Sequence, residues 1–129
     1  MINELQGNQV IVVGTNLNGE HYGGAAAQAH QDFGLEWGVA EGLSGKTYAF
    51  PTLTKNMKQF LPTMLRDHVS RLYQTARNNP DLEFLLTPVG TGIAGYPYEV
   101  IEELFKNLPA NINKVGWRNN EIFTKRRVR

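Results

Sequence analysis

The chain has 129 residues and a formal net charge of +1, and it contains no cysteine. This length fits one domain with its own core, and the absence of cysteine excludes disulfides and cysteine-ligated zinc. The near-neutral charge gives no electrostatic reason for the whole chain to bind nucleic acid.

Two further features concern membranes and nucleic acid. No apolar run approaches the roughly 20 residues that span a bilayer, and residues 1–5 lack the basic and apolar regions of a secretory signal. We therefore expect a cytoplasmic protein without a membrane partner. Residues 125–129 carry four cations; a solvated tail is the expected role, and contact with nucleic-acid phosphates is the alternative.

The chain alternates between strand-like and helix-like segments, which is typical of an α/β fold. Residues 9–14 include four consecutive β-branched residues, as expected for a strand covered on both faces. The predicted elements in chain order are a strand at 9–14, an alanine-rich helix at 25–33 stopped by Gly34, an irregular excursion at 34–46, a short strand at 47–50 ended by Pro51, a helix at 60–77, a strand at 82–87, a helix at 97–107 and a weak strand at 112–116.

Two of the predicted helices carry an apolar stripe that indicates their buried face. In helix 60–77 the stripe follows i, i+3, i+4 spacing and consists of Leu61, Met64, Leu65, His68, Val69, Leu72 and Ala76. In helix 97–107, with Pro97 expected at the first helical position, the inward face consists of Val100, Ile101, Leu104 and Phe105.

The strands at 9–14 and 82–87 each run directly into a glycine-bearing loop and then a helix. In open α/β sheets, ligands bind beyond the carboxyl ends of the strands. If the two strands are parallel neighbours, loops 15–24 and 90–96 line one crevice. Glycine lets backbone N–H groups approach an anion closely, so we predict a phosphate or diphosphate cradle. The alternative is a pair of tight turns that need glycine for their dihedral angles.

Several polar and aromatic loop residues are candidates for ligand contact or catalysis. Asn16 suits ribose hydroxyls or a local turn cap. Thr91 suits a phosphate oxygen, while Tyr96 suits either stacking on a base or simple packing. Glu20 and His21 are candidate acid–base groups. The three histidines show no His-x-x-x-His spacing, so no metal site is predicted.

Three segments together resemble the macrodomain, a module that binds ADP-ribose. They are Val-Ile-Val-Val-Gly-Thr-Asn at 10–16, Gly-Gly-Ala-Ala-Ala-Gln-Ala-His at 23–30 and Pro-Val-Gly-Thr-Gly-Ile-Ala-Gly-Tyr-Pro at 88–97. Residues 91–97 are similar to the late loop of macrodomains, Ser-Thr-Gly-Ile-Phe-Gly-Tyr-Pro. Residues 21–26 resemble the shorter loop of divergent macrodomains that remove ADP-ribose from acidic side chains. The whole chain also looks like small phage non-structural proteins.

The resemblance implies a single macrodomain-like domain, with a core at about 9–116, and a three-layer αβα fold with a mixed central sheet. It implies that Asn16 contacts the distal ribose, that Gly23 and Gly24 border this ribose and the diphosphate, and that 89–96 wraps the diphosphate. The predicted ligand-binding residues are Thr15, Asn16, Gly23, Gly24, Val89, Gly90, Thr91, Gly92, Ile93, Ala94, Gly95 and Tyr96.

The chain departs from the family at the positions that carry catalysis. Hydrolytic macrodomains have an acid just after the first glycine run, where this chain has Ala25 or Ala26. The divergent hydrolases have an Asp at the position of Ala94 and a lysine nucleophile in the neighbourhood of residues 50–52. The resemblance therefore implies binding rather than catalysis.

We expect binding of ADP-ribose or a related NAD-derived adenine nucleotide, with no cofactor and no metal. If the chain is phage-encoded, it would sequester or remove a host signal in the host cytoplasm. The first alternative is an ADP-ribosyl hydrolase or ADP-ribose 1''-phosphate phosphatase that uses Glu20 or His21. The others are a non-catalytic interaction protein and a nucleic-acid accessory protein.

Overall fold

The computed structural model describes residues 4–117, which form a three-layer α/β structure with a mixed sheet between helices. The basic segment 125–129 lies outside the described residues. The elements are β1 Gln9–Asn16, α1 Gly24–Asp32, β2 Gly42–Ser44, β3 Thr47–Leu53, α2 Pro62–Asn78, β4 Glu83–Leu86, α3 Tyr98–Leu104 and β5 Ile112–Lys114. No helix in this described range is long and apolar enough to cross a membrane.

The strand order in the sheet is β2-β3-β1-β4-β5. β1 pairs in parallel with both β3 and β4, and β4 pairs in parallel with β5, whereas β2 is antiparallel to β3. This confirms the predicted α/β class. It also makes the two strongest predicted strands, β1 and β4, parallel neighbours.

The helices are divided between the two faces of the sheet. On one face, Ile11, Val13 and Ala49 pack with Ala26 and Ala29 of α1. On the other face, a larger core joins sheet residues to α2 and α3; its strand members are Val10, Val12, Tyr48, Phe50, Phe84, Leu86 and Ile112. Because alternate β1 side chains enter opposite cores, both faces of this strand require apolar residues.

The region between α1 and α2 differs from the prediction in two ways. The excursion 34–46 includes the strand β2, and β3 continues through Pro51 to Leu53 instead of ending at residue 50. β2 pairs only with 47–49 of β3. Pro51 therefore lies past the antiparallel ladder, at a position where a missing N–H is tolerated within a strand.

The buried faces of α2 and α3 are narrower than predicted. Leu61 precedes α2 and is 67% exposed, and Met64 in its first turn is 45% exposed. Val100 of α3 is also exposed, whereas Ile101 is fully buried. Both helices also start later than expected, at Pro62 instead of residue 60 and at Tyr98 instead of residue 97.

Candidate ligand-binding cavity

A cavity of about 760 Å³ opens at the carboxyl ends of the four parallel strands. Its floor consists of the end of β1, Thr52 and Leu53 of β3, residues 87–90 after β4, and Val115 and Gly116 after β5. From β1 the chain passes to β3 on one side, and later to β4 on the other side. A crevice at such a reversal is the expected ligand site of an open α/β sheet, and the volume is within the range of about 300–1,000 Å³ typical of small-molecule sites.

The two predicted loops meet over this cavity. The Ile93 Cδ1 atom lies 3.2 Å from the place a Cβ on Gly23 would occupy, and 3.7 Å from the corresponding place on Gly24. Of the predicted binding residues, nine line the cavity: Thr15, Asn16, Gly23, Gly24, Val89, Gly90, Gly92, Ile93 and Ala94. Thr91, Gly95 and Tyr96 are outside the lining.

Residues whose backbone N–H groups lack a partner line the cavity in two segments, the start of α1 and the late loop. α1 begins at Gly24 with no side-chain cap and no acid in its first turn, so the N–H groups of Gly24, Ala25 and Ala26 keep their hydrogen-bonding capacity. In the late loop, the N–H groups of Gly92 and Ala94, like those of Gly90 and Ile93 beside them, have no acceptor within residues 4–117. Together they form a partly positive, uncharged wall suited to an anion.

The helix N-terminus at the cavity belongs to α1 and not to α3. α3 starts at Tyr98, with Pro97 as its N-cap, and neither residue lines the cavity. Between the late loop and α3 the chain makes a turn at 92–95 and buries Tyr96, so the start of α3 is separated from the cavity lining.

Tyr96 packs inside the protein, which is the alternative to a stacking role. Its hydroxyl donates to the Thr52 carbonyl at 2.9 Å and accepts the Phe60 N–H at 2.7 Å, and burial raises its pKa. Gly90 has φ +82° and an added Cβ there would lie 3.0 Å from the Tyr96 ring. The glycine is therefore required both by backbone conformation and by the packing of Tyr96. Thr91 bonds locally, donating to Pro88 O at 2.8 Å.

Asn16 lines the cavity and also organises the loop after β1. Its Oδ1 accepts the N–H groups of Asn18 and Glu20 at 3.1 and 3.2 Å, and its Nδ2 donates to the Glu20 carbonyl at 2.9 Å. The loop uses the amide oxygen and one of the two N–H groups of Nδ2, so Asn16 acts as a local turn cap. The second N–H of Nδ2 remains for a ligand, so the predicted contact with a ribose hydroxyl is still open to the same side chain.

The structure separates the two candidate acid–base residues. Glu20 lines the cavity and is the one charged residue among the described lining residues. His21 is 3% exposed and outside the lining. Its Nε2 lies 3.0 Å from the Glu36 carbonyl, its Nδ1 is buried without a partner, and burial lowers its pKa. His21 is therefore buried outside the described cavity lining, and its candidate acid–base role stays a prediction.

Several lining residues were missed by the sequence reasoning. Thr52 and Leu53 were missed because β3 was ended too early, and Met57 because the following connection carries no motif. Thr87 is the last residue of the predicted strand 82–87 and Pro88 directly follows it, which was a usable signal. Tyr22 in the first loop was also missed, because its 78% exposure at the rim of the cavity is visible only in the structure.

Comparisons with family models, curated proteins and solved structures find no match to this chain. Among residues 4–117, no three His, Asp or Glu side chains are grouped so that they could hold a metal ion. The site can accept an anion on backbone amides and a planar or apolar group on its rim.

Proposed function

We propose that the cavity binds ADP-ribose or a related adenine nucleotide through its diphosphate, in a macrodomain-like arrangement. The observation that carries the proposal is that residues with unpaired backbone N–H groups, from the start of α1 and from the late loop, line one cavity. Amides and a helix start stabilise phosphate oxygens without a side-chain cation. The remaining N–H of Asn16 is the donor for a ribose hydroxyl.

Calorimetry with ADP-ribose tests this proposal, with Gly92→Val as the blocking variant. An added Cβ at Gly92 meets no atom within 4 Å, so the variant should fold while its side chain obstructs the amides of the loop. Gly7→Val is the matched control, because Gly7 also has open space around it but is outside the lining. We expect wild type and Gly7→Val to bind, and Gly92→Val to lose binding. No heat with wild type, or equal binding by all three proteins, contradicts the proposal.

One observation favours a second candidate, hydrolysis of an ADP-ribosyl ester or of ADP-ribose 1''-phosphate. Glu20 is the sole carboxylate among the described lining residues, and a carboxylate can activate water as a general base. It also opposes an anionic ligand, because like charges repel. The two candidate functions therefore predict opposite effects of removing this charge.

Glu20→Gln distinguishes binding from hydrolysis. For a binding protein that sequesters its ligand, the neutral variant should bind ADP-ribose about two- to fivefold more tightly, as expected for a screened surface charge. The wild-type protein should then return the ligand chemically unchanged. For a hydrolase, wild type should release ADP-ribose from modified protein, and Glu20→Gln should lose this activity while it still binds the product.

A further inference from the structure

Tyr22 gives the cavity rim a large, exposed aromatic surface. It lies in the loop between β1 and α1, two residues before the helix start, and it lines the cavity while remaining 78% exposed. Exposure of this extent leaves most of its ring in contact with water. Tyrosine is enriched at binding surfaces because it combines a large apolar ring with a polar hydroxyl.

The Tyr22 ring is supported on one side by other rings. The Trp37 ring meets it edge-on, with centroids 4.9 Å apart and an interplanar angle of 76°. Trp37 is in turn held against His21 and His30, at 5.5 and 5.4 Å between centroids. These edge-on contacts favour one orientation of the Tyr22 ring before a ligand arrives, which reduces the conformational entropy lost on binding.

We infer that Tyr22 is the stacking platform for a base, so that the site takes nucleoside diphosphates in preference to an inorganic diphosphate. The inference rests on the proposed function and adds that the ligand carries a base beside its diphosphate. Tyr96 is buried, and Tyr22 is the one aromatic residue among the described residues that line the cavity. Two residues of chain span at most about 7 Å, so the backbone of Tyr22 lies close to the first residue of α1, Gly24.

Calorimetry with two probes, ADP and pyrophosphate, tests this role on wild type, Tyr22→Ala and Tyr22→Phe. ADP carries a base and a diphosphate, whereas pyrophosphate carries only the anion. We expect Tyr22→Ala to weaken ADP binding about tenfold, as is typical for the loss of one base–aromatic stack. Its affinity for pyrophosphate should not change. Tyr22→Phe should bind ADP as wild type does, because stacking needs the ring and not the hydroxyl.

Leu61→Ala is the matched control, since Leu61 is also a large exposed apolar residue but is outside the lining. It should bind both probes as wild type does. Equal ADP affinity for wild type and Tyr22→Ala, with pyrophosphate still bound, overturns the stacking role and leaves the diphosphate site standing. Equal losses for ADP and pyrophosphate in Tyr22→Ala also overturn it, because they indicate a damaged loop. If wild type binds neither ADP nor pyrophosphate, the proposed function itself is overturned.

Discussion

At the residue scale, Asn16 couples the stability of a loop to the recognition of a ligand. Its side chain makes three hydrogen bonds to the backbone of residues 18–20, each of which holds the loop beside the cavity. We expect Asn16→Ala to lower the free energy of unfolding by about 1–2 kcal/mol, because partly buried N–H and C=O groups lose their partners. Urea denaturation measures this, and calorimetry should show weaker ADP-ribose binding in the same variant.

Asn18→Ala is the control for this prediction. Asn18 is on the same loop, but its side chain makes a single exposed bond, from Nδ2 to the Lys55 carbonyl at 3.0 Å. Its loss should cost about 0.5 kcal/mol or less, as is typical of exposed surface positions. If Asn16→Ala is as stable as Asn18→Ala, the loop does not depend on the amide.

His21 makes the stability of the protein depend on pH. Burial lowers its pKa below the ordinary value of 6.5, so the folded state resists the proton that the unfolded state accepts. Stability from neutral His21 is fully present above pH 6.5. It decreases as pH falls below that value and levels off below the folded pKa, where both states are protonated.

Urea denaturation from neutral to mildly acidic pH measures this effect, with His21→Gln as the comparison. Glutamine keeps a donor for the Glu36 carbonyl but does not titrate. We expect the acid-induced loss of stability to be smaller in His21→Gln than in wild type. An identical pH dependence in both proteins assigns the loss to other groups.

At the scale of elements, close backbone packing positions the segment between α1 and β3. A Cβ added at Gly45, where φ is +59°, would lie 2.6 Å from the Gly34 carbonyl oxygen. The Lys46 N–H also donates to the Phe33 carbonyl at 2.8 Å. We therefore expect Gly45→Ala to cost about 3–4 kcal/mol in unfolding free energy, from backbone strain and a clash that only backbone movement relieves.

Gly42→Ala separates the clash from the strain in this prediction. Gly42 also has a positive φ, +102°, but an added Cβ there has no atom within 4 Å. Its cost should be limited to backbone strain of about 1–2 kcal/mol. Equal destabilisation of the two variants, measured by urea denaturation, is evidence against close packing at Gly45.

The elements that the sequence predicted are those with a strong local pattern. β1 and β4 were predicted from β-branched and apolar runs, and α2 from its stripe, because burial on a sheet dictates these residues. β2 has three residues and is formed only by pairing with β3, so no local pattern marks it. The end of β3 was missed because proline is rare inside strands, so Pro51 was expected to end this one.

At the scale of the whole molecule, the position of the candidate site depends on strand order. From the sequence, a shared crevice could be predicted only on the condition that the strands at 9–14 and 82–87 are parallel neighbours. Asn16, Gly23 and Gly92 share one cavity because β1 and β4 are parallel neighbours. The contributions of β3 and β5, at Thr52 and Gly116, depend on tertiary pairing that no motif encodes. Tyr96 is buried and Tyr22 is exposed, and this difference also depends on packing. The local sequence does not distinguish them, since Tyr96 follows a glycine and Tyr22 precedes one in similar loops.

The charge distribution of the molecule leads to a final prediction about salt. The described lining contains no lysine or arginine, and its one charged residue is Glu20. Phosphate binding by cations weakens steeply with salt, whereas binding by backbone amides involves partial charges over short distances. We expect the affinity for ADP-ribose to change little between about 50 and about 500 mM salt.

Ala25→Lys provides the contrast for this measurement, because Ala25 is in the first turn of α1 and lines the cavity. An added cation there should strengthen ADP-ribose binding at low salt, and this gain should disappear as salt screens the charge. Calorimetry across the salt range compares the two proteins. A steep salt dependence in wild type shows that cations hold the diphosphate, and it contradicts a site made of amides.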